Sequence, residues 1–198
     1  MTEVELKAHV DDRAALAQKL DSFAIRGQHI IRDDNYWGKG SCDKNKIRIR
    51  RESFLNPDGS VANTDILVTY KRKAKIKGAD NVEAEANDEK ECTVSDAAAL
   101  EAFLTDTGYS IQLEKHKDVE DWITEVPDLG CGRLKATLEL CYVEKLGDFL
   151  EIEILSPSND ISILTALHGE LEKLLDKAGI AKDHIENRYY SELLHNLE

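Results

Sequence analysis

This chain of 198 residues is short of several residue types, and each shortage excludes a class of protein. It has three prolines and four cysteines, and none of the cysteines is spaced as CxxC. No stretch approaches the roughly 20 apolar residues of a membrane span. The N-terminus also lacks the basic-then-apolar order of a secretory leader. We therefore expect reduced thiols in a cytoplasmic protein that does not enter a membrane.

Positive charge is scarce as well. The chain has 26 lysines and arginines against 39 aspartates and glutamates, which gives a formal net charge of −13. Because nucleic-acid phosphates favour a basic surface, we expect no nucleic-acid partner. The length allows a sizeable core, and we predict a single domain over residues 1–198.

What the chain does contain is a series of segments with one charged face, and the first lies at the N-terminus. Glu3, Glu5 and Lys7 alternate with apolar residues. In a β-strand this places all three charged side chains on one face. Two neighbouring carboxylates repel each other unless a cation lies between them, and hard cations such as Mg²⁺ prefer oxygen ligands of this kind. The pattern favours a cation site, with Lys7 available to an anionic substrate.

Periodicity and turn signals predict the remaining elements. The predicted helices run from Asp11 or Asp12 to about Phe23, from an N-cap at Ser95 to near Gly108, over Ile161–Ala178 and over Asp183–Leu197. The predicted strands pass through Ile30 to Tyr36 and cover Lys44–Glu52, Asp65–Lys75, Ile111–Lys117, Arg133–Val143 and Leu150–Ile154, with a further one leading to Val94. Turns are predicted at Pro57–Gly59 and Pro127–Gly132.

Charged residues of both signs recur on one face of these strands. Two arrangements fit this pattern: an antiparallel sheet with one solvated face, or a rolled sheet whose charged face points inward while amphipathic helices cover the apolar face. A charged interior is costly unless it has partners. An oligophosphate with divalent cations would supply them, since Arg and Lys bind phosphate and carboxylates bind metal.

In their order along the chain, these segments resemble the CYTH superfamily, the triphosphate tunnel metalloenzymes. The N-terminal ExExK motif corresponds to Glu3–Lys7. The other matches are Asp34–Trp37 to D-x-Y-F, Ile47–Arg50 to LRLR, Leu67–Lys71 to L-T-x-K, Glu89–Asp96 to E-x-E-x-x-V-x-D, Leu146–Glu153 to LGxFxEIE, and Tyr190–Leu194 to the terminal helix motif. The resemblance spans nearly the whole chain.

The resemblance implies an α+β fold, an eight-stranded antiparallel β-barrel with a charged interior and helices packed on the outside. It implies Mg²⁺ or Mn²⁺ held by Glu3, Glu5, Glu151 and Glu153, and phosphate binding by Lys7, Arg48, Arg50, Lys71, Lys115 and Lys117. We add Glu139 to the predicted metal ligands, and Lys73 and Arg133 to the predicted phosphate-binding residues, because each lies on the charged face of its predicted strand. Glu5, Lys7 and Glu153 are the predicted catalytic residues.

The chain departs from the family pattern at three positions. Asn87 stands where an arginine is usual, Cys141 where an aspartate is usual, and Lys117 where an arginine is common. Glu139 lies on the same predicted face as Cys141 and can replace the missing carboxylate. For Cys141, a small-residue replacement is favoured over a nucleophile, since no base accompanies it.

Three functions follow from the resemblance. The leading one is metal-dependent hydrolysis of a triphosphate, such as tripolyphosphate, thiamine triphosphate or ATP. The second is a class IV-type adenylyl cyclase, in which the ATP 3′-hydroxyl attacks the α-phosphorus and pyrophosphate leaves. The third is a non-catalytic binder of triphosphate or polyphosphate. Whether the chain forms a homodimer stays open at this level.

Overall fold

The computed structural model describes residues 2–40, 46–77 and 83–197, and of these it describes residues 46, 71–77 and 83–89 by backbone alone. Within these ranges the strands are β1 Thr2–His9, β2 Ile25–Gly38, β3 Lys46–Leu55, β4 Val61–Lys77, β5 Glu83–Val94, β6 Ser110–Val126, β7 Leu134–Val143 and β8 Gly147–Ser156. The α-helices are α1 Arg13–Asp21, α2 Ala98–Asp106, α3 Ile161–Ala178 and α4 Tyr190–His195, and a 3₁₀ turn covers Lys182–His184.

The eight strands form one antiparallel sheet in the order β1-β8-β7-β6-β2-β3-β4-β5. The predicted α+β class is therefore confirmed. β1 and β5 are the end strands of this order, and within the described ranges no strand pairing joins them. The closure of the sheet into a barrel, which the resemblance implies, stays a prediction.

The chain groups into two compact units, which we describe separately. The first unit comprises Met1–His29 and Lys117–Glu198, and the second comprises Ile30–His116. The first holds β1, β7, β8, α1, α3 and α4, and the second holds β3, β4, β5 and α2. β2 and β6 contribute residues to both units.

The core of the first unit lies between the apolar face of its strands and the helices α1 and α3. Leu138 of β7 and Ile152 of β8 are fully buried there together with Leu171 of α3. α3 begins at an Asp160 cap, whose Oδ1 accepts a hydrogen bond from the Ser162 amide at 2.8 Å. It ends at Gly179, whose φ of 84° is a left-handed conformation that glycine adopts without a Cβ penalty. This helix matches its predicted bounds.

The second unit has a smaller core in which α2 covers its strands. Trp37, Ile49, Ala97 and Leu104 are buried together. The N-cap of this helix is Ala97 and not the predicted Ser95, and the Asp96 carboxylate accepts a hydrogen bond from the amide of the first helical residue, Ala98, at 2.9 Å. The Ser95 cap was therefore a wrong prediction, while the predicted stop near Gly108 is confirmed by its φ of 86°.

Two predictions about length and type are also wrong. β6 does not end at Lys117 but continues to Val126, since its second half pairs with β7 from Val143 to Leu134. The predicted helix Asp183–Leu197 is replaced by a short 3₁₀ turn, an extended stretch and the six-residue α4. In the extended stretch, Ile185 forms a bridge with Ala8 of β1, and the Glu186 amide donates to the Lys7 carbonyl at 2.8 Å. Pairing with β1 thus competes with the helix.

In the described part of the chain, no helix is both long and apolar enough to cross a bilayer. Among the described residues, Cys92, Cys131 and Cys141 form no disulfide. Cys42 lies outside the described residues.

Candidate functional site

In the first unit, strand register brings the predicted acidic residues onto one face. Glu5 of β1 lies opposite Glu153 of β8, and Lys7 lies opposite Glu151. Glu151 in turn lies opposite Glu139 of β7. Directly paired residues in neighbouring strands share a face. We call Glu5, Glu139, Glu151 and Glu153 the carboxylate cluster.

Lys117 is the cation held most tightly by this cluster. Its Nζ lies 2.9 and 2.8 Å from the two carboxylate oxygens of Glu151. The Lys117 side chain is only 4% exposed, and that of Glu151 is 14% exposed. Burial by itself lowers the pKa of the Lys117 ammonium, but the nearby Cys141, Glu151 and Glu139 outweigh it and raise this pKa above its ordinary value. Lys117 is therefore a fixed positive charge at the cluster.

Lys7 is held at the edge of the same cluster by the C-terminal segment. Its Nζ donates to the Arg188 carbonyl at 2.6 Å and lies 4.2 Å from the ring centroid of Tyr190. Burial lowers the pKa of Lys7, while Glu151 and Glu5 oppose this shift. The Lys117 ammonium also lies over the Tyr190 ring, at 5.2 Å. The two ammonium groups thus share one aromatic ring, a cation–π arrangement that is favourable when desolvated.

Tyr190 also lies near the carboxylates. Burial first, and then the negative charge of Glu151, raise the pKa of the Tyr190 hydroxyl, so this group stays neutral. Its ring packs edge-on against Phe149 at 5.1 Å between centroids. Tyr190 therefore lies against both the cationic and the anionic parts of the cluster.

Glu5 shows how much negative charge the cluster carries. Removal of water around the carboxyl raises its pKa from 4.5 to about 7, and the charges of Glu151 and Glu3 add to this shift. Lys7 opposes it. Glu5 is nevertheless an exposed residue, so desolvation alone does not account for the raised pKa, and repulsion by Glu151 and Glu3 is the cause that stands on geometry. A divalent cation between these carboxylates would relieve the repulsion, so their charge and chemistry fit Mg²⁺ or Mn²⁺.

A second group of donors lies beside Lys117. One carboxylate oxygen each from Glu139 and Glu151 and the Sγ of Cys141 all lie within 4.8 Å of one another. Cys141 is fully buried, and the two glutamates are half-buried. These three residues can present ligands to one metal ion.

In the second unit, the predicted phosphate-binding residues Arg50 and Lys115 surround a buried aspartate. Arg50 donates to the two carboxylate oxygens of Asp34 from Nε at 2.6 Å and from Nη2 at 3.0 Å. The Lys115 Nζ lies 2.8 Å from Asp34 Oδ2. Burial alone raises the pKa of Asp34, but hydrogen bonds from Arg50 and the charge of Lys115 reverse this and hold it well below its usual range. Asp34 is thus an anion that fixes both cations.

Arg48 lies in a separate polar group of the same unit. Its Nη2 donates to the Thr69 hydroxyl at 2.9 Å and to Glu91 Oε2 at 3.3 Å. The Thr69 hydroxyl also donates to Glu91, at 2.6 Å. The Nε of Arg48 is buried without a hydrogen-bond partner among the described atoms. Arg48 therefore retains a donor that a ligand oxygen could accept from.

The other predicted site residues are placed less centrally. Glu3 is exposed, and its charge contributes to the raised pKa of Glu5. Arg133 is exposed and lies just before β7, whose first residue is Leu134. Lys71 and Lys73 lie on β4, but their side chains are outside the described ones, as is that of Asn87.

Sequence reasoning gave no role to three residues that the structure places at these groups: Asp34, Cys141 and Tyr190. Asp34 and Tyr190 lie within matched motifs, so a signal for both was present. Cys141 had been placed on the same face as Glu139, at the position of the family's aspartate, but only as a small-residue replacement.

Neither a scan against protein-family models nor a search of curated proteins finds a match for this chain. Solved structures do resemble it. The PH1819 protein of Pyrococcus horikoshii OT3 is 25% identical over 100% of both chains, with a TM-score of 0.70. A conserved hypothetical protein of Pyrococcus furiosus is 22% identical, with 97% of this chain and 99% of that chain covered and a TM-score of 0.66.

A Vibrio parahaemolyticus protein that carries the provisional description of an adenylate cyclase is also similar. It is 18% identical, with 98% of this chain and 97% of that chain covered and a TM-score of 0.65. At this identity the likeness concerns the fold alone. The chain thus has the fold of these proteins, in agreement with the CYTH-type fold predicted from its motifs.

Proposed function

We propose that this chain is a divalent-cation-dependent enzyme that acts on a triphosphate, with hydrolysis as the leading reaction. The observation that carries the proposal is the carboxylate cluster together with Lys7 and Lys117 on one face of the first unit. Carboxylates bind Mg²⁺ and Mn²⁺, which also take phosphate oxygens as ligands. Lysine ammonium groups bind phosphate as compact charges. The substrate class is a small triphosphate such as tripolyphosphate, thiamine triphosphate or ATP.

Each residue of the cluster has a role in this proposal. Glu5, Glu139, Glu151 and Glu153 hold the cation, while Lys7 and Lys117 contact phosphate oxygens. A bound Mg²⁺ or Mn²⁺ supplies charge neutralisation and orientation of the attacking water. Most of the rate enhancement in phosphoryl transfer comes from such positioning and charge stabilisation. The raised pKa of Glu5 belongs to the metal-free chain, and a cation held by the cluster would lower it, so the role of Glu5 in this proposal is that of a ligand.

In the second unit, the resemblance assigns phosphate contacts to Arg48 and Arg50. The structure supports these two assignments unequally. Arg50 already directs Nε and Nη2 at Asp34 and Nη1 at Glu52, at 2.6, 3.0 and 3.4 Å. Arg48 retains a buried Nε donor. We therefore assign direct phosphate binding to Arg48 ahead of Arg50.

The experiment is a phosphate-release assay on the purified chain with tripolyphosphate, thiamine triphosphate and ATP, each with Mg²⁺ or Mn²⁺ and with chelator. We expect metal-dependent release from at least one substrate. Glu153→Gln should reduce kcat by about 100-fold or more, the scale of losing one group that stabilises transition-state charge. Glu144→Gln, an exposed change just after β7, is the matched control and should leave the rate unchanged. Absence of phosphate release from all three substrates would refute the hydrolase.

Adenylyl cyclase activity is the second candidate, favoured by the fold shared with the Vibrio protein. In this reaction the ATP 3′-hydroxyl attacks the α-phosphorus and pyrophosphate leaves. The same ATP incubation distinguishes the two reactions, because a cyclase yields cyclic AMP and pyrophosphate whereas a hydrolase yields ADP and phosphate. Tight binding of tripolyphosphate in calorimetry without any product would leave only the binding function.

A further inference from the structure

Cys141 is a fully buried thiol within the charged face of the first unit, and the proposed function does not use it. We propose that Cys141, Glu139 and Glu151 form a site for a thiophilic divalent cation, Zn²⁺ above all, so that Cys141 determines which cation this cluster prefers. The inference rests on the proposed function only in taking the carboxylate cluster to be a cation site. It concerns the identity of the cation and not the reaction.

The three donors are arranged closely enough to share one ion. Glu139 and Glu151 are directly paired across β7 and β8, and Cys141 follows Glu139 by two residues on the same face. Their ligand atoms lie within 4.8 Å of one another. In a tetrahedral zinc site, bond lengths of about 2.0–2.3 Å place neighbouring ligand atoms about 3.5 Å apart. Side-chain rotations that move atoms by about 1 Å would therefore close the site.

The number of ligands is also the number found in catalytic zinc sites. Such sites use three protein ligands and keep the fourth position for water or substrate. Two carboxylates and one cysteine make up such a set. A phosphate oxygen or a water can then occupy the open position.

The sulfur atom decides the preference between cations. Thiolate ligands favour Zn²⁺ and other soft or borderline ions, while carboxylate, carbonyl and water oxygens suit Mg²⁺ and Mn²⁺. Mg²⁺ also demands nearly ideal octahedral oxygen coordination. A site that replaces one oxygen by the sulfur of Cys141 therefore loses affinity for Mg²⁺ and gains affinity for Zn²⁺.

Lys117 is the competitor at this site. Its ammonium lies 2.8 and 2.9 Å from the Glu151 oxygens. Because both oxygens of Glu151 accept from this ammonium, an ion that binds Glu151 has to displace Lys117 from it. The ammonium also repels a divalent cation. Lys117→Met should therefore tighten Zn²⁺ binding, a result that a site elsewhere on the chain would not give.

The test uses Co²⁺ as a spectroscopic probe of the full-length protein, without substrate. We expect one equivalent of Co²⁺ to produce a near-ultraviolet thiolate-to-cobalt charge-transfer band. Equimolar Zn²⁺ should abolish this band, and a large excess of Mg²⁺ should not. Cys141→Ser should remove the band and weaken Zn²⁺ binding by more than about tenfold, the least that loss of even an outer-shell partner usually costs. Cys131→Ser, at a partly buried free thiol in the turn before β7, is the matched control and should retain the band.

Absence of the band in the wild-type protein, or its survival in Cys141→Ser, would overturn the inference. If Cys141→Ser does not fold, Glu139→Gln provides the second variant, and unchanged Zn²⁺ affinity in that variant would overturn it equally. The outcome is separable from the proposed function. Sulfur ligation without triphosphate turnover supports the zinc site and refutes the enzyme, whereas Mg²⁺-dependent turnover without sulfur ligation does the reverse.

Discussion

Asp34 provides the sharpest test of how the second unit is held together. Its side chain has no exposed surface and accepts hydrogen bonds from Arg50 at 2.6 and 3.0 Å. Lys115, which is 8% exposed, lies 2.8 Å from the same carboxylate. Asp34→Asn preserves the shape of the side chain and removes its charge. Two largely buried cations then lose their common counter-ion.

The expected cost follows from what remains around those cations. Removing one partner of a buried ion pair typically destabilises a protein by about 3–5 kcal/mol. Arg50 keeps a contact with Glu52, at 3.4 Å, which places the expected loss near the lower end, about 3 kcal/mol. With a urea m-value of about 2 kcal/mol/M, this corresponds to a fall of about 1.5 M in the unfolding midpoint.

The assay is urea unfolding followed by tryptophan fluorescence, since Trp37 is buried in the core of this unit. Asp33→Asn is the matched control, the same change one residue earlier. Asp33 is exposed and pairs with His116 at 2.7 Å, so its replacement should change stability by no more than about 0.5 kcal/mol. An Asp34→Asn loss below 1 kcal/mol, or one equal to that of the control, would refute the role assigned to this carboxylate.

Three further predictions concern the first unit. Between pH 4.5 and about 7 the folded chain keeps a proton on Glu5 that the unfolded chain has released. The stability of the metal-free protein should therefore fall as pH rises through this window. In Glu5→Gln, the melting temperature should depend less on pH over the same range. Tripolyphosphate and Mn²⁺ should each tighten binding of the other by the same factor, about 5–150-fold in calorimetry, because a cation on Glu151 frees Lys117 for phosphate; independent affinities would contradict this coupling. Gly179→Ala should destabilise the end of α3 by about 1 kcal/mol, because the φ of Gly179 is 84°. Gly169→Ala should stabilise the same helix by about 0.5–1 kcal/mol, because the added Cβ meets no atom within 4 Å. Thermal unfolding of both variants measures the two effects.

The charged faces of the strands could be predicted because strand geometry has a fixed period of two. Alternation placed Glu5 with Lys7 and Glu151 with Glu153 on the charged faces of their own strands. The family resemblance joined the two pairs, and the register of β1 with β8 brings them together. Alternation did not, however, predict where β6 ends. Beyond Lys117 that strand is held by a hairpin pairing with β7 across the turn at 127–133, which alternation within a single strand does not reveal.

The fate of the C-terminal segment shows why the remaining features of the site could not be predicted from local patterns. Periodicity favoured a helix over Asp183–Leu197, but β1 is an end strand in the described strand order, and the C-terminal segment pairs with its backbone. Pairing of Glu186 with the Lys7 carbonyl interrupts that helix, and it also determines where Tyr190 lies. The ring then packs against Lys7 and Lys117, so a backbone hydrogen bond at one sheet edge positions two ammonium groups of the cluster. Local periodicity therefore identifies the charged residues of such a site. It does not show which segment pairs with β1, because that choice is made only in the folded chain.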